Sequence, residues 1–136
     1  MTRLVADASI MGNILLVDEK DDRTESLLGL VSDAELVEPS HWPIEACGLI
    51  LKAARRRRLS AADRDAALLQ AAGLIALAEV DMVSRLSAVI SLALQHHITI
   101  YDAAYLELAI REGLPLLTSD KGLKAAATTA KVQLVS

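Results

Sequence analysis

A chain of 136 residues is long enough for one domain with a real hydrophobic core and needs no covalent staples. A formal net charge of −4 argues against holding nucleic acid by bulk attraction, and the single Cys47 excludes an internal disulfide and gives no sign of an oxidising compartment. Ala and Leu dominate, with one Trp, two Tyr and no Phe, a composition that favours helices packed closely on a small sheet. The hydrophobic share of 53% is high for a globular chain, so some apolar surface is expected to meet a partner chain.

In chain order, residues 3–6 read as a short buried strand that ends at Asp7. This acid arrives before a signal-type apolar run could develop. Ser9 then opens a helix with Ile10, Ile14, Leu15 and Val17 on its apolar stripe. The polar residues 18–24 form a loop or the start of a second amphipathic helix, over 25–31. Residues 35–37 form a brief strand, closed by Glu38-Pro39 because the residue before proline resists helix. A long helix runs from His41 to about Arg58 and sets Trp42, Leu49 and Ala53 on one face with Glu45.

Ser60 caps the next helix, with Asp63 three residues on, and the apolar pattern carries it to about Leu77. The most apolar stretch, 66–78, contains Gln70 and is too short to span a bilayer, so a soluble cytoplasmic protein is expected. Residues 79–83 read as a strand or bend, and 84–96 as a helix striped by Leu86, Val89, Ile90 and Ala93. Thr99 caps a helix with Asp102 in its first turn, where the macrodipole favours an acid. Gly113 ends that helix and Pro115 follows. Residues 116–118 read as a strand, 120–127 as a short helix and 131–135 as a last strand. Strands separated by helices predict a three-layer α/β/α sandwich with a small, mostly parallel sheet, forming one unit over residues 1–136.

In an open parallel sheet, ligands sit beyond the carboxyl ends of the strands. Asp7 and Asp120 each follow a strand, Asp102 opens a helix, and Glu45 lies early in one. All four can face one rim. Each also has an ordinary explanation: Asp7 and Asp120 as helix caps, Asp102 as half of a capping box, Glu45 as a solvated side chain beside Lys52. Gathered together, four carboxylates repel unless cations intervene, and such an oxygen-rich set suits Mg²⁺ or Mn²⁺. The chemistry that fits best is phosphodiester hydrolysis, with metal generating the nucleophile and stabilising charge on the attacking and leaving oxygens.

On these residues the chain resembles the PIN-domain ribonucleases, in particular the toxins of bacterial VapBC-type toxin–antitoxin pairs. Val5-Ala6-Asp7-Ala8-Ser9 is similar to the family's opening strand and first acid. Pro39-Ser40-His41-Trp42-Pro43-Ile44-Glu45 is similar to its Pro, Trp and Glu segment, and Arg56-Arg57-Arg58-Leu59-Ser60 to the turn that follows. Ile98-Thr99-Ile100-Tyr101-Asp102-Ala103-Ala104-Tyr105 is the most specific match, and Leu117-Thr118-Ser119-Asp120-Lys121 resembles the last acidic motif. The resemblance implies that Asp7, Glu45, Asp102 and Asp120 hold Mg²⁺ or Mn²⁺, with Thr118 and Ser9 as hydroxyls near the metal or the attacking water. It also implies endoribonucleolytic cleavage leaving a 5′-phosphate and a 3′-hydroxyl, a small antitoxin that covers the site, and a homodimer. One position departs from the pattern: Gly48 stands where family members often carry Asn. With the low basic content, this supports a rival reading, a catalytically weak or inactive PIN-like module that binds RNA or a partner.

Other signals weigh less. The run Arg55 to Arg58 suits a solvated helix end, with contact to RNA phosphates or an acidic antitoxin tail as the alternative. Lys121 and Lys124 stand nearer the acids. His96 and His97 are adjacent and cannot share a helix face, and His41 lies one turn before Glu45. Trp42, Tyr101 and Tyr105 are read as core, and Cys47 as a small buried residue. A phosphoacceptor receiver reading of residues 13–19 needs an aspartate ending a second strand, but Asp63 there lies in a helix start.

Overall fold

The computed structural model describes residues 2–78 and 81–135. Its sheet has four parallel strands in the order β3-β2-β1-β4: β1 is Thr2–Ala6, β2 Ala34–Glu38, β3 Ile75–Ala78 and β4 Leu116–Leu117. The inner ends of β1 and β2 are buried at every position rather than at alternate ones. That is the mark of strands covered on both faces, and the chain is a three-layer α/β/α sandwich.

Helices α1 (Met11–Leu15) and α2 (Thr24–Ser32) carry the chain from β1 to β2. Helices α3 (Trp42–Arg55) and α4 (Ala61–Leu74) carry it from β2 to β3. Helices α5 (Leu86–His96) and α6 (Ile100–Glu112) then return it across the sheet to β4, on the other side of β1, and α7 (Lys121–Thr129) follows. The strand order therefore reverses between β1 and β4, and a crevice opens there at the strands' carboxyl ends. Helix α6 is the buried post of the molecule: every residue from Ala103 to Ala109 is inaccessible, and three of the seven are Ala. Small side chains let it lie close against its neighbours, with Trp42, Leu36, Leu106 and Leu108 in the same core cluster.

Several elements depart from the sequence reading. The first helix is broken: a 3₁₀ turn, Ala8–Ile10, precedes α1, and extended Leu16 leads into a second turn, Val17–Glu19, where Val17 is exposed rather than on an apolar stripe. Helix α3 stops at Arg55 instead of running to Arg58. Arg57 and Arg58 donate N–H to Ala54 and Ala53 at 3.0 and 2.9 Å with Arg57 at φ 57°, a Schellman close with arginine where glycine is usual. The Arg58 guanidinium then binds Asp18 at 2.6 and 3.0 Å and Glu19 at 2.6 Å, so this arginine is engaged within the fold.

Helix α4 ends at Leu74, and β3 takes residues the apolar pattern had extended the helix over. A fully apolar run carries neither period, and here the parallel edge of β2 decides. The expected strand or bend at 79–83 lies partly outside the described residues, and Val83 opens a 3₁₀ turn, Val83–Arg85, leading into α5. The last strand is a single parallel bridge between Leu116 and Leu134. The capping assignments hold: Ser60 Oγ accepts from Asp63 N at 3.0 Å, and Thr99 Oγ1 from Asp102 N at 3.1 Å.

Candidate active site

Asp7 sits where β1 ends at the reversal of strand order. Its N–H donates to the Leu117 carbonyl at 2.9 Å, and its side chain caps the turn Ala8–Ile10. The carboxylate is only 2% exposed. Oδ2 accepts from Ser9 Oγ and from Thr118 Oγ1, each at 2.7 Å, and Oδ1 accepts from Ser9 N at 3.3 Å. Burial pushes the Asp7 carboxyl above its ordinary value, the Thr118 and Ser9 hydrogen bonds pull it back, and the charge of Glu45 adds to the push. Thr118, itself buried just past β4, also accepts Asp120 N at 3.0 Å. Ser119 donates to Ser9 through its N–H at 3.3 Å and its hydroxyl at 3.2 Å. The two strand ends are thus laced together by hydroxyls.

Asp120 caps α7 by accepting Leu123 N at 2.8 Å. Asp102 lies in the first turn of α6 and Glu45 in the first turn of α3. These pieces meet at Asp102, whose carboxyl is pushed up to about 6, chiefly by burial, then by the charges of Asp7, Asp120 and Glu45. Thr99 acts in the opposite sense. The charges that push Asp102 further up are those of three other carboxylates, each from a different part of the chain. Among the described residues, no three His, Cys, Asp or Glu side chains stand close enough to form a ready-made metal cage. The acids share a field rather than a fixed coordination geometry.

Of the four acids read as facing one rim, Asp7, Glu45 and Asp120 all act by charge on Asp102, and the two hydroxyls that the resemblance adds, Thr118 and Ser9, both bond Asp7. Two residues that the sequence reading treated lightly belong there too. Tyr105 is buried, as expected of a core residue, yet its hydroxyl donates to Glu45 Oε1 at 3.2 Å. Burial first, then the charges of Glu45, Glu38 and Asp7, hold that phenol far above its ordinary range. His41 sets Nε2 3.4 Å from Glu45 Oε2 without a hydrogen bond and packs its ring 4.9 Å from Tyr105 and 5.7 Å from Tyr101. Its spacing of four residues from Glu45 was the available signal.

Glu38 was missed. It is 0% exposed at the end of β2, and its carboxyl is pushed well above the usual range by burial and then by Asp7 and Glu45. Two expectations fail in detail. Tyr101 is 59% exposed rather than core, because it falls on the outer side of the first turn of α6, and Cys47 is partly exposed. Trp42 is core, as read.

Clefts flank the acids. One, of about 520 Å³, is lined by His41, Ile44, Glu45, Thr99, Tyr101 and Asp102 and is mostly apolar at its mouth, where Ile44 and Tyr101 are exposed. Another, of about 270 Å³, runs beside Thr118 and Ser119 and carries the cations Arg23 and Lys124.

A parallel α/β sheet with acids gathered at its reversal of strand order places a candidate ligand site there. The chain belongs to the PIN domain family, whose profile matches residues 4–128. Among solved structures it is similar to PAE2754 from Pyrobaculum aerophilum, with a TM-score of 0.70, 22% identity, and cover of 92% of this chain and 86% of that one. It is also similar to FitAcB from Neisseria gonorrhoeae, with a TM-score of 0.59, 20% identity, and cover of 98% and 96%. At these identities the likeness is one of fold. No curated protein matches the chain. PIN domains are in general nucleases, and PIN-domain nucleases generally use divalent metals. No described helix is long and apolar enough to cross a membrane.

Proposed function

We propose that this chain is a single-domain, metal-dependent endoribonuclease of the VapC toxin type, acting in the cytoplasm and restrained by a cognate antitoxin. The observation that carries the reading is the gathering of acids at the reversal of strand order, where Thr118 ties Asp7 to the backbone of Asp120 and Tyr105 holds Glu45. The carboxyl of Asp102, pushed up by burial and then by Asp7, Asp120 and Glu45, agrees with it. Mutually repelling acids fit a hard divalent cation, and the donors gathered here are mainly carboxylate and hydroxyl oxygens, with the imidazole of His41 beside Glu45. Asp7, Glu45, Asp102 and Asp120 would hold Mg²⁺ or Mn²⁺. When bound, such an ion supplies an activated water and stabilises charge on the attacking and leaving oxygens of the phosphodiester.

The protein's own groups do the rest. Thr118 and Ser9 fix Oδ2 of Asp7 and leave Oδ1 with one weak backbone contact. Tyr105 orients Glu45 through Oε1 and leaves Oε2 on the His41 side, at the mouth of the apolar cleft. Arg23 and Lys124 line the opposite cleft, where they suit the phosphates of the RNA backbone. A homodimer is supported by the exposed apolar row Val83, Leu86, Ile90 and Leu94 along α5 and the turn before it.

The test is cleavage of a defined RNA by the purified chain in Mg²⁺, in Mn²⁺ and in EDTA. Cutting is expected only with metal, leaving 5′-phosphate and 3′-hydroxyl ends, and lost in Asp7→Asn with the fold intact. RNA binding without cutting, equal in wild type, in Asp7→Asn and in EDTA, would sink the nuclease reading in favour of a binding module.

A further inference from the structure

Along β1, Val5 and Asp7 donate N–H toward β4, to the carbonyls of Pro115 and Leu117 at 3.0 and 2.9 Å. Ala6, between them, points its N–H the other way, toward β2. The registered pairing of β1 with β2 stops at Leu4 and Leu36, so no strand carbonyl meets that donor. The side chain of Glu38 does: its Oε1 accepts Ala6 N at 2.9 Å. That bond uses one oxygen of the carboxylate. The other, Oε2, is buried with no hydrogen-bond partner among the described residues.

A role in finishing the sheet explains only half of this side chain. A neutral amide would accept the Ala6 N–H equally well, without placing an acid in the interior against the backbone of the residue before Asp7. The charges that bear on Glu38 are those of Asp7 and Glu45, and Glu38 in turn bears on Tyr105, the residue that holds Glu45. An unpartnered buried carboxylate oxygen is costly unless a proton or another cation meets it.

We propose that Glu38 is a fifth acidic donor of the cation site, with Oε1 fixed on the backbone of β1 and Oε2 kept for the divalent ion. The inference rests on the metal-dependent reading above and enlarges its donor set toward the six oxygens a hard cation prefers.

The experiment is a Mn²⁺ titration of the full chain, followed by electron paramagnetic resonance and by the metal-dependent rise in melting temperature, for wild type and Glu38→Gln. Glutamine keeps an acceptor for Ala6, so a purely structural role predicts no change in Mn²⁺ affinity. The expected result is a variant that melts like wild type in EDTA, binds Mn²⁺ about 10- to 100-fold more weakly, and gains correspondingly less from the metal. Unchanged affinity overturns the proposal and leaves the nuclease reading standing, whereas a wild type that binds no Mn²⁺ sinks both. A variant that unfolds and is not recovered by Mn²⁺ makes Glu38 a structural residue only, and overturns it as well.

Discussion

The hydroxyl of Thr118 donates to Oδ2 of Asp7 at 2.7 Å, joining residues 111 positions apart at the ends of adjacent strands. The same hydroxyl oxygen accepts Asp120 N at 3.0 Å, so one side chain steadies two of the four acids. Thr118→Val keeps the shape and removes both bonds. The expected loss is about 1–3 kcal/mol of unfolding free energy, the cost of stripping a partner from a buried carboxylate. Thr118→Ser restores most of it. Urea denaturation of the three proteins checks this, and a valine variant as stable as wild type would contradict it.

Asp102 carries the clearest pH signature. Its carboxyl is pushed up to about 6 from an ordinary 3.8, so between those values the folded protein binds more protons than the unfolded chain. Stability contributed by this group is complete below the lower value and is lost as pH rises through about 6. Without metal, the melting temperature is expected to fall from pH 5 to pH 7, and saturating Mg²⁺ is expected to recover it at pH 7, where the ionised form meets a counter-charge. Melting curves at both pH values, in EDTA and in Mg²⁺, read this directly.

Asp102→Asn separates work from stability. Removing one of four repelling charges is expected to raise the metal-free melting temperature at pH 7 and flatten its pH dependence. RNA cleavage is expected to fall by about 100-fold or more, the scale on which lost electrostatic stabilisation of a transition state is felt. A variant that is both less stable and fully active would contradict both halves.

Arg57, just past the end of α3, is a place where the backbone asks for another residue. At φ 57° it closes the helix in the left-handed region, which costs a side-chain-bearing residue about 1 kcal/mol relative to glycine. Arg57→Gly is therefore expected to stabilise the protein by roughly that amount, with cleavage unchanged. Thermal unfolding with an RNA-cleavage control tests it.

Gly48 is the reverse case. It lies within α3, is exposed, and a Cβ built there meets nothing within 4 Å. Gly48→Ala is expected to add about 1 kcal/mol of stability through helix propensity alone. Gly48→Asn restores the amide that the family pattern carries, and comparing its cleavage rate with that of the alanine variant isolates what the amide contributes.

Much of this was legible in the sequence because caps are local. Asp7, Asp120 and Thr99 declare themselves as helix starts, and each does cap a helix or turn, so the ordinary explanation of Asp7 and Asp120 holds alongside their place in the cluster. The arithmetic that brings Asp7 beside Thr118 comes from strand order, which the spacing of elements suggested but could not fix. Glu38 stayed hidden because its importance lies in a register, the point where β1 outruns the backbone pairing of β2, and one sequence does not display registers. β3 stayed hidden because a wholly apolar stretch has no period to read.

Because β4 is made after β1, α3 and α6 yet seats directly against β1, a chain emerging from the ribosome carries Asp7 and Glu45 long before Thr118 and Asp120 exist to complete the crevice. The nascent protein therefore passes through the synthesis of more than a hundred residues with the ledge half built. If the cleft cuts RNA as proposed, a toxin born in this order spares the message and the machinery that are making it until the last strand is free to dock.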